Sequence, residues 1–171
     1  MDLGLKGKIA VVTAASAGIG KGIATVLAEE GCEVAICSRN STKLTATADQ
    51  IRKLSASNVV AEVVDVANFN SLDVFFNKVL TEFGKIDILV NNAGGPPPGR
   101  CFDFSDDQYK NAFDLTLMSV VRSCRKVVPL MVSQKWGRII NIESISVKCA
   151  LDNMVLSNVF RSGVAAFSKT L

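Results

Sequence analysis

The chain has 171 residues, 49% of them hydrophobic and 20% charged, which is the balance of one soluble globular domain with a sizeable buried core. Nineteen basic residues against 16 acidic ones leave a formal net charge of +3, too small and too scattered to point to a nucleic-acid or membrane-surface partner.

From Lys8 to Thr13, KIAVVT is short, β-branched and apolar on both faces, as a central parallel strand requires. A glycine-containing turn follows, then a helix over Gly20 to Gly31 with apolar residues at helical spacing. The alternation continues: EVAICS is a strand, Ser41 to Leu54 a helix, VVAEVVD a strand, and Ser71 to Phe83 a helix stopped by Gly84. IDILVN is the fourth strand, a long helix runs from about Ser105 to Met131, GRIINIE is the fifth strand, and a closing helix begins near Ser157. Strands alternating with helices through short connections imply right-handed crossovers, a parallel sheet and helices on both of its faces. The loop GGPPPGR, Gly94 to Arg100, follows a strand's carboxyl end, where open α/β sheets bind ligands. It reads equally as the mouth of a site or as a stiff surface turn.

Cys32, Cys37, Cys101, Cys124 and Cys149 contain no C-x-x-C pair and there is no histidine, so no metal site is expected and the thiols read as buried and free. No apolar run approaches the ~20 residues needed to span a bilayer. The expected location is cytoplasmic and no membrane partner is expected.

TAASAGIG, Thr13 to Gly20, joins the first strand to the first helix. Small residues there let the backbone approach a pyrophosphate, and the helix N-terminus offers free N–H groups and positive dipole. Together with NNAG at Asn91 to Gly94, this turn resembles the short-chain dehydrogenase/reductase family, whose T-G-x-x-x-G-x-G turn and N-N-A-G segment stand in the same order. GRIINIESIS is similar to that family's fifth strand leading to its active-site serine, and SGVAAFSKTL to its last helix. The likeness is nearest to 3-oxoacyl-(acyl-carrier-protein) reductase-like proteins.

The resemblance implies a Rossmann-type α/β fold, a doubly wound parallel sheet of strand order 3-2-1-4-5, in one dinucleotide-binding domain over residues 1–171. Set against the family pattern, the final strands and substrate-covering loop are missing from these residues, so the chain reads as part of a longer protein or as one whose missing pieces come from a partner. Cofactor contacts are implied for Thr13, Ala15, Ser16, Gly18, Ile19 and Gly20, for Asp65 and Val66 beside adenine, and for Asn91, Ala93 and Gly94. At the end of the second strand an acidic residue would favour NAD; Ser38 and Arg39 stand there and can receive a 2′-phosphate, so NADP is favoured over NAD. Arg39 also reads as a solvated loop charge.

Three positions depart from the family pattern. The first glycine of the turn is Ala14, whose Cβ restricts the turn if positive φ is needed. The family's catalytic Asn falls on Thr116, while its Ser is retained as Ser144. Its Tyr and Lys fall on Ser157 and Arg161. Carbonyl reduction leaves an oxyanion that must be hydrogen-bonded and protonated. A serine hydroxyl is a far weaker acid than a tyrosine, and arginine keeps its charge, so Arg161 can hold a ribose or an oxyanion but cannot relay a proton by titrating.

Ser157 also reads as a plain helix N-cap. Tyr109, the only tyrosine, reads most simply as packing. Glu143, Lys148, Cys149 and Asp152 surround Ser144 as other acids, and the sequence selects none of them. The expected function is therefore an NAD(P)-dependent short-chain oxidoreductase acting on a small carbonyl or 3-oxoacyl substrate through a non-standard catalytic set. The alternative is a catalytically inactive nucleotide-binding or scaffold protein retaining the fold. A homodimer or homotetramer, joined through the long helix and the last one, is implied by the resemblance.

Overall fold

The computed structural model describes residues 2–171. Five parallel strands, β1 (Ile9–Val12), β2 (Glu33–Ser38), β3 (Val59–Val63), β4 (Ile88–Asn91) and β5 (Arg138–Asn141), form one sheet in the order β3-β2-β1-β4-β5. The expected Rossmann-type α/β arrangement is present.

Alternate residues of β1 enter different cores, as the period of two in a strand dictates. Ile9 and Val11 join Phe75, Phe76, Val127 and Val164 beneath α3 (Phe69–Phe83), α5 (Ser119–Ser133) and α6 (Val155–Ser168). Ala10 and Val12 join Ala24, Leu44 and Ile51 beneath α1 (Gly18–Glu29) and α2 (Ser41–Leu54). Residues 9–12 are buried throughout, which is why the run carries no polar face.

Local chemistry sets the helix ends. The Asn40 side chain accepts from the Lys43 N–H to start α2, and Asn68 accepts from Ser71 N–H to start α3. Gly84 closes α3 in the left-handed region at φ 75°. Ser105 and Gln108 form a reciprocal capping box ahead of α4 (Asp106–Phe113).

Four sequence expectations are corrected. The long helix from Ser105 is interrupted by a π-helical turn at Asp114–Met118, which separates α4 from α5. β3 ends at Val63, so Asp65 and Val66 lie in the loop beyond it. The last helix begins at Val155 with Met154 as its N-cap, so Ser157 is inside the first turn and caps nothing. Cys101 and Cys149 are exposed, whereas Cys32, Cys37 and Cys124 are buried as expected. Burial pushes the Cys37 thiol up to about 12, making it inert at neutral pH.

Candidate active site

The site lies at the carboxyl edge of the sheet, where β1 gives way to α1. Ala14 sits at φ 48°, so the turn does use the left-handed region and the alanine Cβ is carried there under strain. Ala17, the N-cap of α1, is extended at φ −163° and has no side-chain group to cap the helix. The first amides of α1 therefore lack both intrahelical acceptors and a capping oxygen, and they are free for an anion.

Asn92 fastens this turn. Its side-chain amide donates to the carbonyls of Thr13 and Ala14, each at 3.1 Å. Its backbone N–H donates to Thr13 Oγ1 at 2.9 Å, and that hydroxyl in turn donates to the Asn92 carbonyl at 2.7 Å. Gly20 packs beneath the clamp: a Cβ there would stand 2.6 Å from Asn92 Nδ2 and 2.8 Å from the Ala14 carbonyl oxygen. The glycine is required by close approach, since its φ is not positive.

The structure brings five of the expected cofactor residues around one cavity of about 210 Å³: Ser16, Ser38, Arg39, Val66 and Gly94. Ser16 Oγ and Ser38 Oγ share a hydrogen bond at 2.7 Å, and the Arg39 side chain is exposed at the rim. Arg39 takes part in none of the ion pairs among the described residues, so its charge faces the opening uncompensated. Asp65 does not itself line that cavity, although its neighbours Val64 and Val66 do, and its carboxylate accepts from the Ala67 N–H at 3.0 Å. Ala15 is fully buried and its N–H bonds to the Cys37 carbonyl, while Gly18 and Ile19 are exposed at the start of α1.

A second, smaller cavity of about 10 Å³ lies deeper and is shared by Thr13, Ala93, Thr116, Glu143 and Arg161. That is room for about one water molecule. Thr116, within the π turn, is 3% exposed and its hydroxyl has no hydrogen-bond partner. The Arg161 guanidinium donates to the Ile142 carbonyl at 2.9 Å and faces the Glu143 carboxyl at 3.6 Å, an ion pair too long to be a hydrogen bond. Burial raises the Glu143 carboxyl above its ordinary range, and the neighbouring Arg161 charge offsets part of that rise. Asn91 is buried, and its amide donates to Asn141 Oδ1 at 2.8 Å, tying β4 to β5.

Ser144 is half-buried, and its hydroxyl accepts from the Ser146 N–H at 3.2 Å. Ser157 is 3% exposed and its hydroxyl shares a bond with Ser146 Oγ at 3.2 Å. The two serines that the resemblance singles out are thus linked through Ser146. Tyr109 is remote in kind: it packs edge-on against Phe104 and Phe160 and donates to the Cys101 carbonyl at 3.3 Å. The proline loop is anchored to the start of α6, because Gly99 N–H donates to Asn153 O at 2.8 Å and Val155 N–H to Gly99 O at 3.2 Å.

Sequence reasoning passed over Asn92 and Ser146. Asn92 sits inside the N-N-A-G segment, so its signal was present; that its side chain reaches across to another strand's turn is a tertiary fact. Ser146 carries no signal beyond being a serine near Ser144.

A sequence model of the short chain dehydrogenase family matches residues 8–171. An uncharacterised oxidoreductase of Staphylococcus aureus (strain USA300) is 36% identical over 142 residues, spanning 83% of this chain and 60% of that protein. The chain therefore spans less than two thirds of the length of that relative. Among solved structures, L-sorbose reductase from Gluconobacter frateurii, complexed with NADPH and L-sorbose, is 34% identical with a TM-score of 0.96, covering 99% of this chain and 65% of that one. NAD+-bound xylitol dehydrogenase is 27% identical with a TM-score of 0.91, covering 97% of this chain and 64% of that one.

Proposed function

The chain belongs to the short-chain dehydrogenase family, and from that premise we propose that it acts as an NADP-dependent reductase of keto or 3-oxoacyl compounds with an altered catalytic set. The observation that carries this reading is the uncapped start of α1, opened by Gly20 and leading to the cavity bounded by Ser38 and Arg39. These residues fit a dinucleotide: free amides for a pyrophosphate, a cation and a hydroxyl for a 2′-phosphate, and small residues where the backbone must approach. When bound, such a cofactor supplies the hydride.

The chain's own residues then divide the remaining work. The amides of Gly18, Ile19 and Gly20 would receive the pyrophosphate, with Thr13, Ala15 and Ser16 shaping the turn. Asp65 and Val66 would hold the adenine, and Asn91, Ala93 and Gly94 would lie toward the nicotinamide end. Ser144 would donate a hydrogen bond to the substrate carbonyl, and Arg161, paired with Glu143, would offer its N–H groups to the nicotinamide ribose. Ser157 has no part in protonation, because its hydroxyl is buried against Ser146, and the proton that completes the alcohol comes from water.

Stopped-flow oxidation of NADPH over a panel of keto and 3-oxoacyl substrates tests the reading, and no turnover above background across the panel would count against it. With a substrate in hand, Ser144→Ala is expected to slow turnover by about tenfold or more, while Ser157→Ala stays within about threefold of the parent. Equal losses in both would place Ser157 back in the mechanism. Arg39→Glu is expected to weaken NADPH binding by about tenfold and to leave NADH binding within about threefold, read by calorimetric titration. A parallel loss of both nucleotides would assign Arg39 a structural role only.

The buried state of Ser157 and the backbone bond held by Arg161 also favour a second reading, a nucleotide-binding scaffold without chemistry. NADPH binding without turnover would support it. Under either reading we take the protein to be a homodimer or homotetramer joined through α4, α5 and α6, whose Phe113, Val132 and Val159 are exposed. Light scattering of the purified protein tests that assembly. Among the described residues no helix is long and apolar enough to cross a membrane.

A further inference from the structure

The deeper cavity brings together the one cation and the one carboxyl that line it. Arg161 has 11% of its side-chain surface exposed and Glu143 has 21%. The elements packed around them contribute Thr13, Asn91, Thr116, Ser119 and Ser123, all uncharged. The Ile142 carbonyl accepts from the guanidinium at 2.9 Å, but among the described residues no second negative charge lies on the cavity wall. A buried charge left without its partner is costly, so Glu143 is where this site keeps its balance.

The position of the pair gives that balance a use. The same cavity is walled by Thr13, Asn92 and Ala93, which belong to the first turn and to the end of β4. On the reading above, that wall flanks the nicotinamide end of a bound dinucleotide. The oxidised nicotinamide ring carries a positive charge and the reduced ring carries none. We propose that Glu143 is a specificity-determining residue for the redox state of the cofactor: its carboxylate neutralises Arg161 and so lets the site accept the oxidised, positively charged ring.

The proposal rests on the nucleotide-binding reading of the site. With Glu143 ionised the pair is neutral, and oxidised and reduced rings are treated nearly alike. With Glu143 protonated the guanidinium stands alone, and the oxidised ring is repelled. Glu143 accepts no hydrogen bond at Oε2, and burial raises its carboxyl above the ordinary carboxylate range against the opposing pull of Arg161. As the pH falls through that raised titration, binding of NADP+ weakens and binding of NADPH does not. By linkage, NADP+ must also release a proton from the site when it binds at low pH.

The test is a fluorescence or calorimetric titration of the purified protein with NADP+ and with NADPH, from about pH 5 to about pH 8. The ratio of the NADP+ to the NADPH dissociation constant is expected to rise about tenfold toward the acidic end. In Glu143→Gln the ratio should be high and flat across the range, while Glu143→Asp should retain a pH-dependent ratio. The series on the unsubstituted protein stands even if a variant fails to fold. Binding of both nucleotides with a ratio that is flat with pH and unmoved in Glu143→Gln would overturn the inference alone. Binding of neither nucleotide would overturn the nucleotide-site reading and the inference with it.

Discussion

Gly20→Val is expected to lower NADPH affinity by about a hundredfold, the largest effect of any single substitution in the cradle. A Cβ at this position would meet Asn92 Nδ2 at 2.6 Å, the Ala14 carbonyl oxygen at 2.8 Å and Ala15 Cα at 3.0 Å. Two of those three atoms are backbone and cannot swing aside. The third belongs to the amide that clamps the turn, so giving way there breaks its bonds to Thr13 and Ala14. Overpacking of this kind costs about 1–3 kcal/mol in the folded state. Every route of relief displaces the first turn, which is the surface offered to the pyrophosphate. Calorimetric titration reads the affinity, and circular dichroism at the working temperature confirms that the fold is retained. Binding within threefold of the parent would show that the α1 cradle is not the nucleotide site.

Asp87→Leu should destabilise the fold by about 3 kcal/mol, the largest purely structural effect expected. Asp87 is 3% exposed, and its carboxylate accepts from the Ile9 N–H at 2.8 Å and pairs with Lys85 at 2.8 Å. Its backbone serves both neighbours: Asp87 N–H donates to Ile9 O, and Asp87 O accepts from Arg138 N–H. The side chain thus caps the entrance to β1 at the opposite edge of the sheet from the site. Leucine would leave the Ile9 N–H buried with no acceptor, the expensive half of the exchange. Lys85 is 45% exposed, so its lost ion pair adds little. Urea unfolding measures the difference, and Asp87→Asn, which keeps an acceptor oxygen, should recover most of it. A loss below 1 kcal/mol for Asp87→Leu would mean that water reaches the Ile9 amide.

The strands and most helices were legible in the sequence because a doubly covered parallel sheet needs unbroken apolar runs, and β1, β2 and β4 supply them. Helix ends were legible where the residue type itself ends the helix, as Gly84 does by taking the left-handed backbone at φ 75°, and illegible where it does not. Nothing in VLSNVFR marks Met154 rather than Ser157 as the start of α6; the start is set instead by the backbone bond from Val155 to Gly99 in a distant loop. An alanine at position 14 is strained only where the turn needs positive φ, and the angle of 48° supplies that condition. The cofactor side of the site was readable because its residues cluster at one strand-to-helix junction. The catalytic side was not, since the pairing of Ser157 with Ser146 and of Glu143 with Arg161 depends on how the segment after β5 packs against α6.

The π turn between α4 and α5 has a consequence for how this part of the protein can vary. A π turn carries one residue more than the α geometry needs, which rotates everything before it by about 100° relative to everything after it. The two halves of what is otherwise one rod are therefore out of phase. α4 lays its stripe against α6, while α5 lays a different stripe, with Cys124, Val127 and Met131, against α3 and the sheet. Deleting one residue between Asp114 and Met118 would bring the halves back into step and would turn one of the two stripes away from its partner. The extra residue works as a gear tooth: it lets a single continuous backbone mesh with two surfaces that no regular helix could serve at once.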